Sequence, residues 1–99
     1  MMKDTNIVGR KIRIDYHRSV VEMTYHTFGA VEWVDDEGCS DWAKSLVVQA
    51  DDKFFIVNFR KGKYNATQYI DTQKMEVRAV FNVDGREVDF IKGKMCFID

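Results

Sequence analysis

The sequence predicts an all-β protein: a single small antiparallel up-and-down barrel of about eight strands. Three observations carry that expectation. Apolar and polar residues alternate with period two along most of the chain, the pattern of strands with one covered face. Turns rich in glycine and aspartate punctuate the alternation at short intervals, and connections of a few residues join antiparallel neighbours. One run, KFFIVNF, is apolar on both faces and needs cover on both. Closing the sheet gives one face an interior and removes the edges that such strands would expose.

The elements follow in order. Residues 1–6 read as a short polar lead-in to one domain spanning 1–99. KIRIDY sets Ile12, Ile14 and Tyr16 on one face, and VVEMTYHT does the same for Val21, Met23 and Tyr25. His17 to Ser19 between them has hairpin length. After Phe28-Gly29, AVEWV places Val31 and Trp33 together, until Asp35, Asp36, Glu37 and Gly38 break the strand. Cys39 to Lys44 reads as a loop, or as one helical turn with Ser40 or Asp41 as its cap. LVVQA resumes a strand, and Asp51-Asp52 turns the chain into KFFIVNF. There Phe55, Val57 and Phe59 oppose Phe54 and Ile56. Lys61-Gly62-Lys63 turns into NATQYID, with Ala66, Gln68 and Ile70 in phase. MEVRAVFNV aligns Met75, Val77, Ala79, Phe81 and Val83, and Asp84-Gly85 is a strong hairpin signal. The last run, REVDFIKGKMCFID, reads as a strand interrupted at Gly93 by a bulge or a close backbone approach.

The totals narrow the function classes. Apolar residues are 45% and charged residues 31% of the 99, enough for one modest core and unlike a disordered chain. Net charge is −1, without the basic excess that phosphate binding needs. The local sets Arg60, Lys61, Lys63 and Lys92, Lys94 read as solvated turns, so no nucleic-acid partner is expected. Cys39 and Cys96 form no CxxC pair, and His17 and His26 form no metal spacing, so no metal or cofactor is expected. The N-terminal run has no apolar signal region, and no stretch reaches membrane-span length. The expectation is a cytoplasmic protein with no membrane partner. GxSxG, GxGxxG and P-loop patterns are absent, so no catalytic residue is assigned.

The residues of interest are those that are polar or aromatic yet in phase with the apolar faces: Tyr16, Tyr25, Trp33 and Gln68. A buried glutamine needs partners, so it joins a network or meets a ligand. These four are the candidate ligand-binding residues. Phe54 and Ile56, on the second apolar face of their strand, and Trp42, in a polar segment, are the candidate interface residues.

The order of elements resembles a family. VGRKIRIDY, a hairpin to VEMTYHTFGAVEW, the aromatic-rich FFIVNF, QYID and VRAVFNV together look like the MoaF-like and phenolic acid decarboxylase group of calycin-type barrels. The resemblance spans about Val8 to Phe97 and implies a lipocalin-like barrel. It also implies two tyrosines on the first strand, an arginine after the third and a glutamate after the aromatic-rich strand. Tyr16 matches the second tyrosine; Ile14 stands at the first. No arginine appears around Asp41 and Trp42, and Phe59-Arg60-Lys61 is basic where the glutamate belongs. With one position of four matched, the expectation is the barrel without the decarboxylation.

The reading that follows is a barrel that binds a small apolar or aromatic molecule in its interior. The alternative is a homodimeric interaction module without ligand. A lyase or isomerase rests on fold analogy alone. A homodimer is expected as the assembly.

Overall fold

The computed structural model describes residues 6–99. Eight strands run β1 (Lys11–Asp15), β2 (Val20–His26), β3 (Ala30–Asp35), β4 (Ser40–Asp51), β5 (Phe54–Lys61), β6 (Tyr64–Asp71), β7 (Glu76–Val83) and β8 (Arg86–Phe97). Each pairs antiparallel with the next, and β1 pairs with β8 to close the barrel. The up-and-down barrel expected from the alternation is therefore the fold. Of the expected lead-in over residues 1–6, Asn6 alone falls within the described residues, where its Oδ1 accepts from the Val8 N–H at 3.0 Å.

The turn signals act where the sequence placed them. Asp84 and Gly85 take φ of 52° and 78°, the paired positive values that a two-residue hairpin needs to match strand twist. Asp35 accepts N–H bonds from Glu37 and Cys39, and Asp71 from Gln73 and Lys74, so both aspartates stop their strands by bonding the turn backbone.

Two expectations are corrected. Cys39 to Lys44 is neither loop nor helical turn: β4 starts at Ser40 and runs twelve residues. Its alternation is real, with Asp41, Ala43, Ser45 and Val47 turned inward. Asp41, Ala43 and Ser45 are polar or small, so apolar periodicity could not reveal the first half of the strand. Nor is the last strand interrupted at Gly93. β8 passes through it unbroken, and the register shift lies at Phe81/Asn82, whose partners are Asp89 and Glu87. Gly93 marks a close approach. A Cβ there would meet Tyr16 Cδ1 at 2.7 Å and the Asp15 carbonyl oxygen at 2.8 Å.

The interior is filled in layers. The four hairpins β1–β2, β3–β4, β5–β6 and β7–β8 lie at one end, the mouth. The other three turns, the segment leading into β1 and the end of β8 lie at the floor. Floorward, Tyr25, Val31, Phe55, Ile70 and Val77 are all buried. Ile7 completes that layer: the chain before β1 folds back through Arg10 N–H to the Ile7 carbonyl, and Ile7 joins the core. The seam is tied by the Arg10–Asp99 ion pair at 2.9 Å and by Arg10 stacked over Phe97 at 4.1 Å.

Candidate functional site

Three of the four candidate ligand residues meet at the barrel waist. Gln68, 2% exposed, sits mid-strand on β6, with Val57 and Ala79 beside it. The Tyr25 hydroxyl donates to Gln68 Oε1 at 2.7 Å. Gln68 Nε2 donates to Met23 Sδ at 3.0 Å and reaches the Tyr16 hydroxyl at 3.4 Å. Tyr16 gets there by crossing Gly93, whose missing side chain leaves room for its ring. Ala79, the β7 neighbour of Gln68, is small and fully buried beside it. Met23 was not anticipated: its phase marks it as core, and only the fold brings its sulfur to the amide.

This network closes on itself. Among the described residues, no buried side-chain nitrogen or oxygen lacks a hydrogen-bond partner. Gln68 is thus held by protein groups, which fixes the waist and leaves no buried polar atom there calling for a ligand. Burial pushes the Tyr16 phenol up to about 12, against a smaller opposing effect from Gln68. Burial likewise raises Tyr25, with Tyr16 adding to the rise. Both phenols are therefore neutral hydrogen-bonding groups at physiological pH and cannot act there as bases.

Trp33 is the cross-strand partner of Met23 and lies at the mouthward side of the network without bonding in it. Its ring lies 5.4 Å from that of Phe59, tilted by 40°. One residue row mouthward of Gln68, the register lines up Phe59, Ala66, Phe81 and Asp89 on four successive strands. Ala66, small and buried, stands between the two phenylalanines. Val21 and Ile91 complete the set, and these five apolar side chains pack on the core while remaining half-buried. Phase alone marks Phe59 and Phe81 as core face. Their nearness to turns was the signal that they end at an opening.

Some of the charge at the mouth rim is already engaged. Lys61 bonds Asp41 and holds its carboxyl below the usual carboxylate range. Arg18 lies 3.9 Å from Asp89. Asp35 spends one oxygen on its own turn. The aromatic centre of the mouth offers apolar surface, with the pairs Lys61–Asp41 and Arg18–Asp89 beside it and Glu37, Lys63, Arg86 and Glu87 exposed in the surrounding turns.

The candidate interface residues lie outside. Phe54 and Ile56 face outward from β5 and are half-buried, while Trp42 is 58% exposed on β4. Two depressions mark the outer surface, of about 340 and 320 Å³. The first has Phe54, Tyr69 and Phe90 around Arg78; the second lies at the β5–β6 and β7–β8 hairpins beside Arg60 and Lys63. Among the described residues, no three histidine, cysteine, aspartate or glutamate side chains gather as a metal site would require.

No family model matches this sequence, and no curated protein matches it. Among solved structures, the chain is similar to a crystal structure from Burkholderia vietnamiensis provisionally described as a beta-lactamase. The TM-score is 0.82, over 98% of this chain and 100% of that one, at 9% sequence identity. A likeness at that identity is a likeness of fold: an eight-stranded antiparallel barrel built from a different set of residues.

Proposed function

We propose that the barrel binds a small, uncharged aromatic or apolar molecule at its mouth, against Trp33, Phe59 and Phe81. The observation that carries this reading is the contrast in exposure along the interior. Floorward, Tyr25, Val31, Phe55, Ile70 and Val77 are shut in, with Met75 and Phe97 half-buried at the edge, whereas all three mouthward aromatics remain partly open. Ligand sites are concave, mostly apolar and lined by a few polar groups that fix orientation. In this reading the rings of Trp33, Phe59 and Phe81 supply the apolar contact surface, and the small side chain of Ala66 between the two phenylalanines lets them part to admit the ligand. The Tyr16–Gln68–Tyr25 network is the rigid base beneath the ligand and touches it at most by its upper edge. The bound molecule therefore sits higher than the deep interior site expected from the sequence.

Membership of the MoaF-like calycin group belongs to this proposal as well, since a lipocalin-type barrel is the shared architecture. The decarboxylase chemistry of that group does not. The one matched tyrosine, Tyr16, is bonded to Gln68 inside the waist, with its proton held firmly. The beta-lactamase description stays with the Burkholderia chain, because likeness of fold alone carries no reaction.

The test uses Trp42→Phe protein, so that Trp33 is the sole indole, with 1-anilinonaphthalene-8-sulfonate and its uncharged parent N-phenyl-1-naphthylamine as probes. The uncharged amine is expected to bind more tightly and to quench Trp33. Phe59→Ser and Phe81→Ser should each weaken it about tenfold, the order expected for losing one aromatic contact. Binding that ignores both substitutions, or leaves Trp33 emission unchanged, overturns the proposal.

A further inference from the structure

The outer wall over β4, β5 and β6 is apolar at its centre and charged unequally at its two ends. Leu46 and Val48 on β4 are 64% and 47% exposed, and Tyr69 on β6 is 38% exposed. The register sets Ile56 between Val48 and Tyr69, so the block is continuous across three strands. Mouthward of it, Lys44 and Arg60 are direct cross-strand neighbours. Floorward of it, Asp51, Phe54 and Asp71 make the corresponding row. The outward row is thus basic mouthward and acidic floorward, with Lys53 and Lys74 in the turns beyond the acidic row. Among the described residues, neither Lys44 nor Arg60 has a carboxylate partner within the subunit.

We propose that this wall binds a second copy of the chain, face to face, about a two-fold axis that crosses the strands between the Ile56 and Asn58 rows. A closed barrel has no free strand edge to extend, so a second copy must be held by side chains. Two sheets stack face to face about 10 Å apart with their strands nearly aligned. An axis across the strands exchanges the mouthward and floorward rows. Lys44 then lies over the partner's Asp51. Arg60 lies over the partner's Phe54, with the partner's Asp51 and the partner's Asp71 on either side. At the centre Leu46 meets the partner's Val48, Ile56 lies over the partner's Asn58 and Tyr69 over the partner's Thr67. A two-fold interface makes every such pairing twice. The competing axis, parallel to the strands, sets Arg60 over the partner's Arg60 and Lys44 over the partner's Asn65. That arrangement juxtaposes like charges and leaves the acidic row unmatched, which costs affinity. Charge complementarity therefore selects both the occupant, a copy of this chain, and its orientation.

Sedimentation velocity on the full chain tests this, with circular dichroism melts confirming that each variant is folded. The wild-type chain is expected to sediment as a dimer. Lys44→Glu sets two glutamates over two aspartates, and Asp51→Lys sets lysine over lysine. Each alone should weaken dimerisation at least about tenfold. Mixed in equal amounts, the two variants should regain the wild-type dimer, because both contacts of the heterodimer are again opposite in sign. Ile56→Glu should give folded monomer that mixing does not rescue. A wild-type chain that remains monomeric at every concentration overturns the proposal, as does a dimer indifferent to all three substitutions. Monomeric charge variants that fail to pair when mixed overturn the orientation.

Discussion

The two ends of the barrel are built from the same residue types and differ in what they do with them. At the floor, Phe55 is 1% exposed and Ile7, Ile70 and Val77 are fully buried. At the mouth, Phe59, Phe81 and Trp33 point into the same interior and stay half-buried. Folding free energy follows apolar area removed from water, so the floor holds most of it. The mouth keeps aromatic surface available for another molecule. Stability and recognition are thus separated along the barrel axis, with the Tyr16–Gln68–Tyr25 network between them.

The sharpest way to break that contrast is to truncate one phenylalanine at each end. Phe55→Ala should cost about 3–5 kcal/mol, the range for a fully buried phenylalanine, and Phe81→Ala roughly 1–2 kcal/mol. Urea melts of both variants check this. Equal costs would mean that the mouth is as much core as the floor.

A smaller effect is expected from Gly93→Ala. The added methyl meets the Tyr16 ring and the Asp15 carbonyl oxygen, and the latter is backbone that cannot turn aside. Overpacking of this kind costs about 1–3 kcal/mol. Because Tyr16 is displaced, the change should also disturb the waist. Near-ultraviolet circular dichroism should lose tyrosine signal while the far-ultraviolet strand signal persists. Retention of both would show that Tyr16 does not depend on the gap at Gly93.

A further effect, absent at neutral pH, appears only in alkali. The Tyr16 phenol is held up to about 12 in the fold, against 10.0 for the free side chain. Its neutral form is the one that the fold favours. The contribution is therefore complete below pH 10 and is lost as pH rises through about 12, amounting to roughly 2–3 kcal/mol. The raised Tyr25 phenol works in the same direction. Denaturant midpoints measured from pH 8 to pH 12 should fall above pH 10, and Tyr16→Phe should flatten part of that fall. An unchanged slope in the variant would place Tyr16 outside the buried network.

Much of this architecture is legible in the sequence because a barrel wall has the simplest of codes. Alternation fixed which side of each strand faces inward: Phe55 against Phe54, Gln68 against Tyr69, Trp33 against Val34. Asp84-Gly85 announced its hairpin through the backbone conformation it permits. The failures share a cause. Asp41, Ala43 and Ser45 point inward on β4 without being large and apolar, so no pattern of hydrophobicity could draw that strand. The role of Gly93 depends on a ring seventy-seven positions earlier in the chain, a relation that closure of the barrel creates (93 against 16). The site was visible in part for the same reason. Tyr16, Tyr25 and Gln68 could be seen to face inward. Their bonding to one another, and the opening beside Trp33 rather than around Gln68, required the shear of neighbouring strands.

The β1–β8 seam has a consequence for how the chain finds this structure. Seven of the eight strand pairings join segments consecutive in sequence, and each can form as a local hairpin. The eighth brings Ile12 against Phe97, nearly the whole length of the described chain apart. Its loop-closure entropy is recovered only once the intervening strands have curled into place. Folding of this barrel should therefore be timed by a single late event, the latching of its first strand onto its last. Until that latch closes, the chain is an open sheet with two unpaired edges, the form most exposed to joining with its neighbours in solution.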